Sequence, residues 1–179
     1  MRTMSTAQST NSQNVITRCN ICKVRTYSFC RCLDEDKIQV FSHISFEKDF
    51  SNKETIFLQN DTSKYLYNIT EGNVKIYQLL DDGRIQIIGF LYPGDFFGSY
   101  SNNKYNYCAE AIGNLKTCVF DQKILDKYLD ENPVLAKELL NKTSYELTLA
   151  QDRLTVLGKL KATERITKFL LNISEQRKR

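Results

Sequence analysis

Only one histidine, His43, occurs in 179 residues, and no glycine-rich loop of the kind that cradles phosphate is present. No nucleophile–base motif is recognisable, so the sequence does not read as an enzyme. No apolar run reaches the length needed to cross a bilayer. The first residues are rich in Ser, Thr, Asn and Gln and have no apolar signal-peptide core, which places the expected location in the cytoplasm. There are no internal repeats, and no acidic residue precedes Asp34. The net charge of +4 permits a nucleic-acid partner without demanding one, and 41% hydrophobic residues suffice for a real core. The length favours one main domain with extensions.

What is present is cysteine. Residues 19 to 32 read CNICKVRTYSFCRC and hold Cys19, Cys22, Cys30 and Cys32, with Arg18, Lys23, Arg25 and Arg31 around them. Cys108 and Cys118 lie far downstream. A reducing cytosol disfavours structural disulfides, so six cysteines read as metal or redox ligands. Cys-x2-Cys turns two sulfurs toward one centre, and either Cys30 or Cys32 reaches it by looping back. With one distant cysteine, four thiolates complete the shell of a [4Fe–4S] cluster. They would also complete a tetrahedral zinc site, although zinc fingers usually repeat a second short pair. A dithiol–disulfide switch at Cys19 and Cys22 is a third possibility. The flanking cations offset the charge of a thiolate cluster and are expected to lower thiol pKa values. Ile21, Val24, Tyr27 and Phe29 are candidates to shield it.

Residues 34 to 47 read as a short polar helix or loop, in which His43 has no assigned role. From about 55 to 121 the pattern is of short strands: 55–58, 65–69, 74–79, 84–90, 96–98, 105–111 and 116–120. Glu71-Gly72, Asp81-Asp82-Gly83 and Tyr92-Pro93-Gly94-Asp95 supply turns, suggesting a small antiparallel barrel or sandwich. A helical period begins at Gln122. Glu131-Asn132-Pro133 breaks it, with Asn132 the expected N-cap of a helix running to about residue 160. On a heptad reading Leu140, Leu147 and Leu154 form a line, flanked by Thr143, Ala150 and Leu157. About 28 residues span roughly 40 Å, more than a small barrel covers, so the stripe reads as the seam of a homodimer. Residues 161 to 173 restart a helix.

Several segments together resemble the CRP–FNR superfamily of bacterial regulators, and in particular its oxygen-sensing FNR branch. The carriers are the Cys19-x2-Cys22-x7-Cys30 spacing, residues 65–98 with their turns, residues 109–118 (AEAIGNLKTC), the helix over 144–165, and Thr163-Glu164-Arg165-Ile166 with Phe169-Leu170. The resemblance implies an α+β fold: an antiparallel β-roll, the double-stranded β-helix of cyclic-nucleotide-binding modules, followed by a long dimerisation helix. It divides the chain into a flexible tail (1–18), a cluster-binding segment (19–33), a β-roll (34–130), a dimer helix (131–160) and the start of a DNA-binding domain (161–179). It implies a [4Fe–4S] cluster on Cys19, Cys22, Cys30 and Cys118, with Cys32 and Cys108 as bystanders. It implies a dimer through Leu140, Leu147, Ala150, Leu154 and Leu157. Promoter DNA and RNA polymerase are the implied partners, although the chain ends before a recognition helix, so it is not expected to read DNA alone. Where cyclic-nucleotide modules carry a Gly-Glu and an Arg, this chain has Gly98-Ser99 and no Arg near Tyr107, so nucleotide binding is not expected.

Overall fold

The structure, a computed structural model, describes residues 17–98, 103–159 and 161–176. The expected tail over residues 1–16 lies outside them, as does the Leu157 side chain. Helix α1 (Glu35–His43) starts at Asp34, whose carboxylate accepts from Lys37 N at 2.9 Å. It is less polar than its sequence: Ile38 and Phe41 are fully buried. Six strands follow: β1 (Ser45–Phe50), β2 (Thr55–Phe57), β3 (Tyr65–Leu79), β4 (Ile85–Leu91), β5 (Phe96–Phe97) and β6 (Cys108–Asp121). They form one antiparallel sheet in the order β1-β6-β3-β4, with β2 also on β6 and β5 on β3.

Two expectations are corrected here. β1 hides in a stretch that reads as polar, because Glu47, Lys48 and Asp49 all face water and only its two ends are buried. β3 and β6 are each one long strand where the sequence suggests two. Gly72 does not end a strand: at φ +85° it sits in a shift of register within the β3–β6 ladder. A side chain there would strike the Asn114–Leu115 backbone, so only glycine lets the strands close. The Asp81–Gly83 turn does join β3 to β4 as expected, with Gly83 at φ +82°.

Helix α2 (Gln122–Glu131) is capped by Asp121, which accepts from the backbone N–H of Lys123 and Ile124. Helix α3 (Pro133–Lys159) follows at once. Asn132 leads into it with its carbonyl, which accepts from Leu135 N and Ala136 N, while its side-chain amide donates to Tyr128 O rather than capping α3. Helix α4 (Ala162–Gln176) comes last, and its Phe169 meets Phe90 of β4 at 6.3 Å between ring centroids.

The core is in two parts. Inside the roll, Phe57 stacks on Tyr105 at 3.7 Å and Tyr67 on Phe97 at 5.1 Å, among Ile69, Val74, Leu115 and Val119. Outside it, Phe41 meets Phe120 and Tyr128 at 4.9 and 5.5 Å, and Leu125, Leu129, Leu135 and Leu139 close around them. Each such side chain contributes about 1.5–3 kcal/mol on leaving water. Cys19, Phe29, Cys30 and Leu33 belong to this second part, so the cysteine segment is built into the core rather than hung on it.

Candidate functional site

The cysteine segment is a run of turns. Arg25 N donates to Cys22 O, and Tyr27 N and Ser28 N donate to Val24 O. A single 3-10 turn, Phe29–Cys32, closes the run. In so tight a turn Cys30 and Cys32 point different ways. The Cys30 thiol is buried and lies within electrostatic reach of Cys19 and Cys22. Cys118, on β6, lies within reach of Cys19 and Cys30. Cys32 instead faces Glu138, Arg31 and Lys37, and Cys108 lies at the far end of β6, where its sulfur accepts from Gln59 N at 3.2 Å. Electrostatic coupling thus links Cys19, Cys22 and Cys30 of the segment with Cys118 of β6, two elements far apart in the chain.

Burial governs their chemistry. It pushes Cys30 up to about 11 and Cys118 up to about 12, and it raises Cys19 and Cys32 above the ordinary thiol value. The expectation that the surrounding cations would lower these values is corrected: Arg18 does act on Cys19 and Cys118, but loss of water outweighs it. The shielding expectation is met in part. Val24 and Phe29 are buried, whereas Ile21 is 75% exposed and Tyr27 is 41% exposed.

Polar groups around the thiols complete the site. Arg18, the last residue of the expected tail, donates through Nη2 to Ser42 O and, at 3.0 Å, to Ser45 Oγ. Its Nε is buried and has no hydrogen-bond partner among the described residues. Ser42 faces Cys19, and Ser45 faces Cys118. Ser28 Oγ lies 2.9 Å from Cys30 Sγ, both buried. Arg18 is legible in the sequence as a cation flanking Cys19, whereas Ser28, Ser42 and Ser45 carry no pattern of their own.

Among the described residues no group of three or more Cys, His, Asp or Glu is drawn tightly enough to hold a single metal ion. The four thiols are gathered without forming a one-ion shell. For an iron–sulfur cluster the donor set fits: sulfur only, largely buried, with a cation beside it that has an N–H to spare.

The site is tied to α3. Arg31 pairs with Glu138 at 2.6 Å, and Leu135 and Leu139 pack into the same core as Cys19 and Cys30. Lys142 donates to Gly94 O at 2.7 Å and pairs with Asp95 at 3.7 Å. Leu140, Leu147 and Leu154 point away from the body, at 64%, 59% and 69% exposure, and Ala150 is exposed as well.

The roll interior is filled by its own side chains. Gly98 N donates to Tyr107 Oη at 2.9 Å, so that amide is already taken where a nucleotide module would use this segment. Ser99 lies outside the described residues.

The architecture is a β-roll followed by a long helix, with cysteines at the junction and, among the described residues, exposed leucines along the helix. The model of the cyclic nucleotide-binding domain matches residues 47–132. The nitrogen fixation regulation protein FixK of Bradyrhizobium diazoefficiens is 35% identical over 158 residues, 88% of this chain and 67% of that protein. The transcriptional activator protein FnrL of Cereibacter sphaeroides is 25% identical over 162 residues, 90% of this chain and 65% of that one. The solved structure of FixK2 from Bradyrhizobium japonicum superposes with a TM-score of 0.69 at 32% identity, covering 74% of this chain and 67% of that one. The chain belongs to the CRP–FNR superfamily of regulators. It spans about two thirds of the length of these relatives. No helix among the described residues is long and apolar enough to cross a membrane.

Proposed function

We propose that the chain is the sensing and dimerising part of an FNR-type transcription regulator, held in the cytoplasm and governed by a [4Fe–4S] cluster on Cys19, Cys22, Cys30 and Cys118. What supports this reading is the electrostatic coupling of Cys30 to Cys19 and Cys22 and of Cys118 to Cys19 and Cys30, while Cys32 couples to Glu138 and Lys37 and Cys108 accepts from Gln59 N. The cluster would supply a redox centre that dioxygen can attack. The protein's own part is to exclude water with Val24, Phe29 and Leu66, to offset charge with Arg18, and to link the segment to α3 through Arg31–Glu138.

Burial raises the Cys19, Cys30 and Cys118 thiols, so a cluster that takes the place of their protons ties the segment to β6. A seated segment steadies the first turns of α3. Helix α3 then offers Leu140, Leu147, Ala150, Leu154 and, by heptad position, Leu157 to a second copy. A dimer equilibrium near balance needs a bias of only a few kcal/mol to change state. Promoter DNA is the partner once a helix-turn-helix follows α4, and RNA polymerase the partner beyond it.

The test is anaerobic purification followed by admission of air. Iron and sulfide in equal amounts, with a broad visible band that bleaches as the dimer dissociates, is the expected result. Zinc without sulfide overturns the reading.

A further inference from the structure

Resting on that cluster reading, we propose that Ser28 and Arg18 are positioning residues that donate hydrogen bonds to the gathered sulfurs and so set how readily the group they hold gains or loses an electron. Ser28 sits immediately before the 3-10 turn Phe29–Cys32, where a serine ordinarily turns its hydroxyl onto the backbone amides of the turn. Here it makes no such cap. Its backbone is fully occupied, N–H on Val24 O and carbonyl on Arg31 N, and the hydroxyl goes to Cys30 Sγ at 2.9 Å instead. The residue is 1% exposed, so water does not compete for that proton. A thiolate bound to iron can only accept, which makes Ser28 the donor.

Arg18 acts on two other sulfurs of the set, Cys19 and Cys118. Nη2 is engaged by Ser42 O and Ser45 Oγ, which fixes the guanidinium. That leaves Nε, buried and unpartnered, next to Cys19 in sequence and within electrostatic reach of Cys118. A buried N–H without an acceptor is costly, and a negatively charged sulfur cluster would relieve it. Ser45 is a weaker candidate, because its single proton has the carbonyls of Phe41 and Ser42 within 3.1 and 3.4 Å.

Hydrogen bonds to cluster sulfurs stabilise the more reduced, more negative state. Losing a donor makes one-electron reduction harder and oxidation easier. No bond at Ser28 or Arg18 forms or breaks in that step, and both protons stay in place.

The experiment is anaerobic cluster reconstitution of the whole chain and of Ser28→Ala, Ser28→Thr and Arg18→Lys, followed by iron and sulfide analysis and mediated redox titration. Ser28→Ala and Arg18→Lys are expected to keep their iron and to lower the one-electron equilibrium constant roughly threefold to tenfold, about 28 to 59 mV. Ser28→Thr keeps the hydroxyl and stays near the parent potential. Unchanged potentials in Ser28→Ala, which lacks the hydroxyl donor, and in Arg18→Lys, which lacks the Nε–H, at full iron content overturn the proposal and leave the cluster standing. Iron lost from Ser28→Ala, with an unchanged potential in Arg18→Lys, also overturns it. A parent chain that takes up no iron overturns both readings and is recognised before any variant is compared.

Discussion

Arg31 reaches across from the cysteine segment to Glu138 on α3, and the two charges meet at 2.6 Å. Arg31 is half exposed and Glu138 is mostly covered, so the pair adds only about 0.5 kcal/mol to stability. Its value is positional: it is the charged link between the residues flanked by Cys30 and Cys32 and the helix with the exposed leucines. Arg31→Ala and Glu138→Ala should leave iron uptake near normal and weaken the dependence of dimer fraction on iron loading. Sedimentation of loaded and unloaded protein checks this, and the double variant should be no worse than either single one.

Replacing Leu147 and Leu154 by Asp should abolish the dimer without unfolding the body. Both are exposed in the single chain, so the unfolding temperature of the monomer should move little, while sedimentation shows the monomer alone. An unchanged dimer would exclude this seam.

Cysteine substitutions should sort by place and not by sequence distance. Cys30→Ser and Cys118→Ala should lose most bound iron. Cys32→Ser, at a thiol that faces Glu138 and Lys37, should keep it, as should Cys108→Ser within the roll. Full iron content in Cys118→Ala would falsify the ligand set.

Acid and base should act in opposite directions on loaded and bare protein. Metal uptake must expel protons from thiols that burial holds near 11 and 12, so iron affinity should rise with pH and fall between pH 8 and pH 6. In the metal-free chain the raised thiols retain protons more tightly when folded than when unfolded. Their contribution to stability is complete below the ordinary value of 9.0 and is lost as pH rises toward 11. Denaturant titrations at pH 8 and 10.5 measure it.

Cyclic AMP should neither bind nor raise the unfolding temperature. Tyr107 Oη accepts the Gly98 amide, and stacked rings fill the interior. Calorimetric binding at micromolar concentration would contradict this.

The roll and the thiol spacing were legible because turn residues and cysteines announce themselves locally. Gly83 and the Asp81–Asp82 pair mark a real hairpin, and Leu140, Leu147 and Leu154 of the heptad reading are exposed on α3. The strand β1 was hidden because an edge strand with a wet face loses its alternation, and Gly72 looked like a turn because the same positive φ serves a bulge. The serines were beyond reach for a different reason. Ser42 and Ser45 become neighbours of Cys19 and Cys118 only after α1 folds against β6, and a short hydroxyl carries no pattern of its own.

Strand β6 puts Leu115 and Val119 into the roll interior, while Cys118 and Phe120 look out at the core around the cysteine segment. The two sides of a strand can be rewritten separately. A lineage could therefore discard or acquire the outer thiol without disturbing the inner packing, so related chains are free to exchange one kind of signal for another on a barrel that stays the same.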